Sequence, residues 1–297
     1  MSESKARVVN AMSVDVEDYF HVTAFSGALE RSKWSSLESR VERNTQRLLQ
    51  IFGRRNIRCT FFVLGWVTER FPALIAELHR AGHEIACHGL THELVYKQTP
   101  QLFREETSRS KKMLEDITGE RVRGYRAATY SITQKSLWAL DILEELGFEY
   151  DSSVFPVRHD LYGIPGASRK PFHVASGRLL EVPLTTVNVA GNALPCAGGG
   201  YFRLLPYGLF SWAVRRVNAE GMPAVFYMHP WEIDAEQPRI EASWKSRFRH
   251  YTNLHRTEGR LEALLDDFEW DRMDEVFLGR NAAPALPLNP AWAGSAA

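Results

Sequence analysis

The stretch VVNAMSVDVED, Val8–Asp18, sets the architecture. Val8–Asp15 is an apolar strand candidate that ends in acids, and Asp15, Glu17 and Asp18 crowd the last four positions. The same arrangement recurs outward from it. Arg58–Leu64 (RCTFFVL) is a short buried strand, His83–Cys87 (HEIAC) runs into His88, and the short Arg123–Arg126 ends on an arginine. Tyr150–Phe155 carries Asp151, Leu179–Leu184 is a further strand, and Pro223–Met228 (PAVFYM) runs into His229. Helical patterns lie between these strands. Val41, Thr45, Leu48 and Phe52 share one face before Gly53, and Val67–Ala81 aligns Phe71, Leu74, Ile75 and Leu78 before Gly82. Thr99-Pro100 caps a helix to about Thr118-Gly119, Thr133 caps one ending near Gly147, and Pro206 opens one stopped by Gly221. Asn253–Phe268 reads as a last long helix and Glu275–Leu278 as a last short strand.

Repeated strand–helix units predict an α/β fold, a mostly parallel sheet curled into a distorted (β/α) barrel of about seven strands. Sites in such barrels lie at the C-terminal ends of the strands. Asp15, Glu17, Asp18, His88, Arg126, Asp151 and His229 all fall there, so independent strands deliver acids, histidines and an arginine to one rim.

The 297 residues are 44% hydrophobic and 24% charged, ordinary for a globular chain that buries a full core. Basic and acidic residues balance at 36 each, which argues against a general nucleic-acid binder. Cys59, Cys87 and Cys196 are too few and odd in number for a disulfide framework, and the apolar runs around Cys59 and Cys87 predict buried free thiols. The N-terminus has no signal-peptide pattern and no window suits a membrane span, so the expectation is a cytoplasmic protein. The Ala- and Pro-rich 281–297 is expected to be a flexible tail after one domain over 1–280, with a C-terminal extension from about residue 235.

Two motifs carry chemistry. In His88-Gly-Leu-Thr-His92 two imidazoles at i and i+4 can reach one cation from successive turns, as neutral ligands for zinc or another first-row metal. In Ser13-Val-Asp-Val-Glu-Asp18 three carboxylates would repel one another without a cation; a solvated turn or helix capping is the alternative. One carboxylate with two histidines leaves positions open for water and a substrate oxygen.

Together these motifs resemble the polysaccharide deacetylases of carbohydrate esterase family four, the NodB-homology family. SVDVED resembles the family's first motif, HGLTH its second (Gly89 replacing a hydroxyl residue), and Arg126-Ala-Ala-Thr-Tyr130 its third (Ala128 replacing proline). Asp151-Ser-Ser-Val-Phe-Pro156 resembles the fourth and Val225-Phe-Tyr-Met-His229 the fifth, all in family order. The phrases DVEDYFHV, TFFVLGWV, HEIACHGLTHELVY, GGGYFRLLPY and FYMHPWEID are most similar to the branch associated with bacterial exopolysaccharide biosynthesis.

The resemblance implies a NodB-type barrel and hydrolysis of N-acetyl groups on a saccharide, assisted by one divalent cation, zinc foremost, with cobalt, nickel or iron also suited. Asp15 is then the general base, His88 and His92 are ligands, and the carboxylate ligand is Glu17 or Asp18. Strand alternation puts Asp15 and Glu17 on one side, but the turn can re-aim Asp18; Glu17 as base with Asp18 as ligand is the other assignment. Arg126 pairs with the base, the backbone N–H near Thr129 helps hold the oxyanion, and His229 is the general acid, its imidazolium supported by Asp151. Tyr130, Tyr201, Trp231 and Trp66 are candidate sugar-groove residues, and Gly198-Gly-Gly200 is a loop bringing Tyr201 and Arg203 to the groove. Ureide hydrolases and lipid-linked sugar deformylases resemble the same scaffold, and a small closed pocket would favour them over an extended aromatic groove. A carbohydrate-binding protein without catalysis is the remaining reading.

Overall fold

The computed structural model describes residues 8–174, 177–280, 282 and 285–287; all but a few of residues 281–297, read above as a tail, lie outside them. The strands are β1 (Val9–Val16), β2 (Thr60–Val63), β3 (Glu84–Cys87), β4 (Gly124–Tyr125), β5 (Tyr150–Asp151), β6 (Phe172–Val174), β7 (Leu179–Glu181), β8 (Thr186–Val189), β9 (Asn192–Pro195), β10 (Val225–Met228) and β11 (Glu269–Asp271). One curled sheet runs β10-β1-β2-β3-β4-β5-β7-β6, with β11 also on β1. From β10 to β7 every pairing is parallel, which gives the seven parallel strands of the barrel; β6 joins antiparallel at the edge. Strand pairing does not join β10 to β7 or β6. The free edge of β10 meets loops instead: Val225 N–H donates to Thr185 Oγ1 (2.6 Å) and Tyr227 N–H to the Ala197 carbonyl (3.0 Å).

The period of two explains the two faces. On β1, Met12, Val14 and Val16 point outward into the layer beneath the helices, while Ala11, Ser13 and Asp15 point into the barrel. Phe61 and Val63 on β2 repeat the outward set and Phe62 the inward one. Each fully buried Leu or Phe of that outer layer contributes about 1.5–3 kcal/mol. The interior is filled by Phe62, Tyr130, Tyr150, Leu180 and Tyr227, so it is packed and not a pore.

Around the sheet lie α1 (Val41–Gly53), α2 (Gly65–Arg70), α3 (Pro72–Arg80), α4 (Pro100–Thr118), α5 (Trp138–Glu145), α6 (Gly199–Leu204), α7 (Tyr207–Ala219), α8 (Trp244–Tyr251), α9 (Leu254–Asp267) and α10 (Met273–Leu278). The signals for α4 act as read: Thr99 Oγ1 accepts from Leu102 N–H at 3.2 Å, and Gly119 takes a left-handed φ of 70°. Three local readings change. The helix expected over Val67–Ala81 is two helices, because Pro72 cannot continue the first and Phe71 leaves the helical region at φ −127°, ψ 52°. Thr133 does not cap α5, which starts at Trp138. Residues 275–278 belong to a helix, and the last strand is β11, seated on β1. Cys59, Cys87 and Cys196 are buried free thiols. Among the described residues no helix is long and apolar enough to cross a membrane.

Candidate active site and metal centre

The parallel ladder aims the functional residues. His88 N–H donates to the Val63 carbonyl (3.0 Å) and Arg126 N–H to the Cys87 carbonyl (2.9 Å), so each sits one step past its strand with its side chain on the barrel-interior side. The HGLTH segment is a loop and not successive helical turns. Gly89 at φ 75° and His92 at φ 55° bend it back, and the first two N–H groups of α2, on Gly65 and Trp66, take the carbonyls of Gly89 and Leu90. Thr129 and Tyr130 are also left-handed, at φ 55° and 53°. Non-glycine residues in that region are held by their surroundings and gather at functional sites.

Glu17, His88 and His92 converge, with one ligand atom from each lying within 4.8 Å of the others. Glu17 Oε2 is 2.7 Å from His92 Nε2, and this buried oxygen has no hydrogen-bond donor of proper geometry. His88 Nδ1 lies 2.8 Å from the Arg126 carbonyl. A carbonyl only accepts, so Nδ1 carries the proton and Nε2 keeps its lone pair for a cation. Burial first, and then the neighbouring His92, hold His88 down to about 4 against the pull of Asp15 and Glu17, which keeps it neutral. Burial alone would raise Glu17, but His92 and His229 hold it well below the usual carboxylate range. A carboxylate with an unused oxygen and two imidazoles fit a divalent first-row cation.

Asp18 stands elsewhere, and of the two acids only Glu17 lies with His88 and His92. Its Oδ2 accepts from Ser39 Oγ (2.7 Å), Arg40 N–H (2.7 Å) and Val41 N–H (3.0 Å), so it caps α1 from a distance in sequence. The turn after β1 thus splits the acids: Asp15 and Glu17 enter the site and Asp18 leaves it.

Asp15 is buried beside a fully buried guanidinium. Arg126 Nη1 donates to Asp15 Oδ1 at 2.7 Å and to Ser13 Oγ at 2.8 Å, and the Tyr130 hydroxyl donates to Asp15 Oδ2 at 3.2 Å. The guanidinium also lies 4.0 Å over the Phe62 ring. Arg126 is thereby fixed, and so is the Asp15 side chain that it holds.

His229 Nε2 is 3.3 Å from Glu17 Oε1 and 4.0 Å from Asp15 Oδ2. Its other nitrogen does not meet Asp151. That residue is buried beside β7, where it hydrogen-bonds Glu181 side chain to side chain and accepts from Ser153 Oγ at 2.6 Å; burial raises both carboxyls. The partner of His229 is Glu232, at 2.7 Å from Nδ1, and Glu232 in turn takes the Arg203 Nε–H at 2.6 Å. Burial opposes the charge on His229, but Glu17, Glu232 and Asp15 outweigh it and raise the imidazole to about 9. Arg203 and His229 likewise overcome burial and bring Glu232 down to about 2. Glu232 went unnoticed in the sequence. Its signal is the Pro230-Trp-Glu232 turn after His229, where the acid's carboxylate also accepts the His229 N–H at 3.1 Å.

Asp15, Glu17, His88, His92 and His229 line a cleft of about 420 Å³ with Thr129, Tyr162, Tyr201, Leu204 and Tyr227 on its sides. Tyr130 and Trp231 line it too but are largely buried. Tyr130 serves Asp15, and Trp231 is stacked between His229 (5.1 Å) and His250 (4.1 Å). Trp66 does not reach the cleft; it packs with Phe20, His21 and Trp34 under Arg70. Gly198 and Gly199 open α6 where it crosses the site: a Cβ on Gly198 would overlap the Tyr227 ring, and one on Gly199 the Glu232 carboxylate. A second cavity of about 390 Å³ adjoins the cleft across Val22, Thr23 and His92.

Comparison with known proteins agrees with this arrangement. The family model described as "Polysaccharide deacetylase" matches residues 32–150, and a domain of unknown function (DUF3473) matches residues 152–278. A peptidoglycan deacetylase-like protein of Gibberella zeae is 34% identical over 110 residues, 36% of this chain and 32% of that one. The chain spans about a third of the length of the first curated relatives it matches. A solved structure from Mycobacterium smegmatis that carries a polysaccharide deacetylase assignment shares the fold over 96% of this chain and 98% of that one, at TM-score 0.57 and 21% identity. The PuuE allantoinase structure shares it over 95% and 94%, at TM-score 0.57 and 18% identity. The chain thus carries a match to the polysaccharide deacetylase family model over residues 32–150, on a fold shared along nearly its whole length with a structure assigned to that activity.

Proposed function

We propose that this protein removes N-acetyl groups from an acetylated saccharide chain by metal-assisted hydrolysis, in the assembly of a bacterial exopolysaccharide. The observation that carries the reading is the convergence of Glu17, His88 and His92 at the floor of a cleft that also holds an Arg126-bound Asp15 and a Glu232-bound His229. A divalent cation at Glu17, His88 and His92, zinc by donor type, supplies Lewis acidity toward the acetyl carbonyl and makes water a better nucleophile.

The chain's own residues do the rest. Asp15 takes a proton from the attacking water as the water oxygen bonds the carbonyl carbon. The Thr129 N–H, in its left-handed turn, assists the oxyanion. His229 Nε2 gives its proton to the leaving nitrogen as the C–N bond breaks, so the products are acetate and a free amine. Glu232 keeps the His229 ring oriented and Nδ1 protonated while Nε2 works. Tyr201 offers the ring on the saccharide side of the cleft, while Trp231 backs His229.

An allantoinase shares the fold equally well, so the fold does not choose between a polymer and a small ureide. The space does favour the polymer: the cleft is of about 420 Å³ and a second cavity adjoins it at Val22, Thr23 and His92. Acetate release from N-acetylated oligosaccharides, by chelated protein with and without added zinc or cobalt, tests the reading. Metal-dependent release that Asp15→Asn abolishes supports it. Release from small ureides alone, or sugar binding without turnover under any metal, overturns it.

A further inference from the structure

We propose that α8 is a membrane-surface contact, which seats the mouth of the cleft on a bilayer rich in anionic lipid. The inference goes beyond the reaction, since it concerns where the mouth of the cleft rests.

The helix is short and nearly unsupported by the fold. Of its eight residues only His250 is buried, and an isolated segment of that length is not a stable helix in water. It nonetheless presents two large rings outward. Trp244 is 74% exposed and Phe248 is 54% exposed, at i and i+4, so they share one face. Leu204, 53% exposed at the end of α6, lines the same cleft as Phe248 and extends the apolar surface to the cleft mouth. Single exposed apolar residues are ordinary, whereas a contiguous set rimmed by charge marks an interaction surface.

The charge around it identifies the partner. The whole chain is neutral, yet residues 239–256 carry five basic side chains and one acid, Glu241. Lys245, Arg247 and Arg249 alternate with the rings on α8 itself. Exposed tryptophan and phenylalanine among lysines and arginines is the composition of interfacial helices, in which rings enter the headgroup boundary and cations meet lipid phosphates. A saccharide partner would explain the rings but not the local excess of positive charge.

The helix is tied to the fold at its far end, so it can bear a load. Arg203 donates to the carbonyls of His250 and Thr252 (both 2.8 Å) and Arg249 (3.2 Å), and His250 stacks on Trp231. The same Arg203 holds Glu232. The proposed contact is thus anchored to the wall that carries His229.

Flotation of the full chain with phosphatidylcholine vesicles, with and without about a third phosphatidylglycerol, tests the proposal. The expected result is co-flotation with anionic vesicles only, weakened by salt, and a blue shift of tryptophan emission absent from Trp244→Ser. Trp244→Ser and the pair Lys245→Glu with Arg247→Glu should each lower partitioning at least tenfold, with circular dichroism and turnover on a soluble oligosaccharide unchanged. No flotation, equal flotation on neutral vesicles, or full binding by these variants overturns it. So does Trp244 emission that responds to oligosaccharides and not to vesicles, which would make α8 an extension of the sugar groove. Binding is read without substrate, so this test can fail while the deacetylase reading stands, and the reverse.

Discussion

The Glu232 carboxylate holds His229 by its Nδ1 at 2.7 Å, from only three residues along the same turn. The acid that orients the imidazole is therefore a local neighbour, and the motif-four aspartate, Asp151, is engaged with Glu181 instead. Glu232→Gln keeps the shape but removes the charge that favours a protonated His229. Turnover should fall by about 10- to 100-fold, at or below the lower end of general acid–base effects because the acid itself remains, with KM changing less than threefold and bound metal unchanged. Asp151→Asn should lower the melting temperature more than the turnover of the folded protein. Equal kcat for wild type and Glu232→Gln would remove Glu232 from this role.

Glu17 and Asp18 are adjacent in sequence but divided in space, and a matched pair of variants reads the division. Glu17→Gln should lose bound zinc and activity together, as should His88→Ala. Asp18→Ala should retain stoichiometric metal, yet unfold several degrees earlier, because an N-terminal cap contributes about 0.5–2 kcal/mol. Metal analysis of the two proteins decides. Loss of metal in Asp18→Ala, or its retention in Glu17→Gln, would reverse the assignment.

The glycines ahead of α6 offer a steric version of the same test. An added Cβ at Gly199 must displace the Glu232 carboxylate, whereas one at Gly200 meets nothing within 4 Å. Gly199→Ala should resemble Glu232→Gln in turnover and also lower the melting temperature. Gly200→Ala should leave the melting temperature where it was.

Stability should depend on pH through Glu84, which closes the lower end of the barrel. Its carboxyl meets the Tyr150 hydroxyl (3.0 Å), the Asp274 N–H (3.2 Å) and Thr60. Burial, and then Asp274, raise it to about 8 from 4.5. The fold thus favours the protonated acid. Its contribution is complete below about pH 4.5 and is lost as pH rises toward 8 and beyond. Glu84→Gln removes the titration, so the variant should gain a few degrees over wild type on going from pH 5 to pH 8.5. Parallel melting curves across that range would show that Glu84 does not titrate there.

Much of this was legible because it rests on short-range rules. The period of two places Asp15 on the inner face, and a strand end places His88, Arg126 and His229 on one rim, without knowledge of what lies opposite. What escaped depends on distant chain or on backbone that few residues adopt. Asp18 looks like a ligand until the N–H groups of Arg40 and Val41 are brought to it. Asp151 looks like a partner for His229 until Glu181, in register with it on β7, engages its side chain. The β8–β9 hairpin turns through Ala190 and Gly191, both at positive φ, and alanine gives no warning of that conformation. Glu232 was within reach, since the i,i+3 spacing of His-Pro-Trp-Glu is a local signal.

The seating of β11 on β1 has a consequence for how the protein is made. The strand that carries Asp15 leaves the ribosome first, but two of its neighbours, β10 and β11, are translated more than 200 residues later. Until then the β10 side of β1 has no partner, the start of its other side lacks β11, and the histidine that follows β10 is missing from the site. Pairings of such long range are slow to form and leave edges open in the meantime. The nascent chain thus carries its acidic strand without β10 while the intervening 200 and more residues are made, and the catalytic set is complete only after β10.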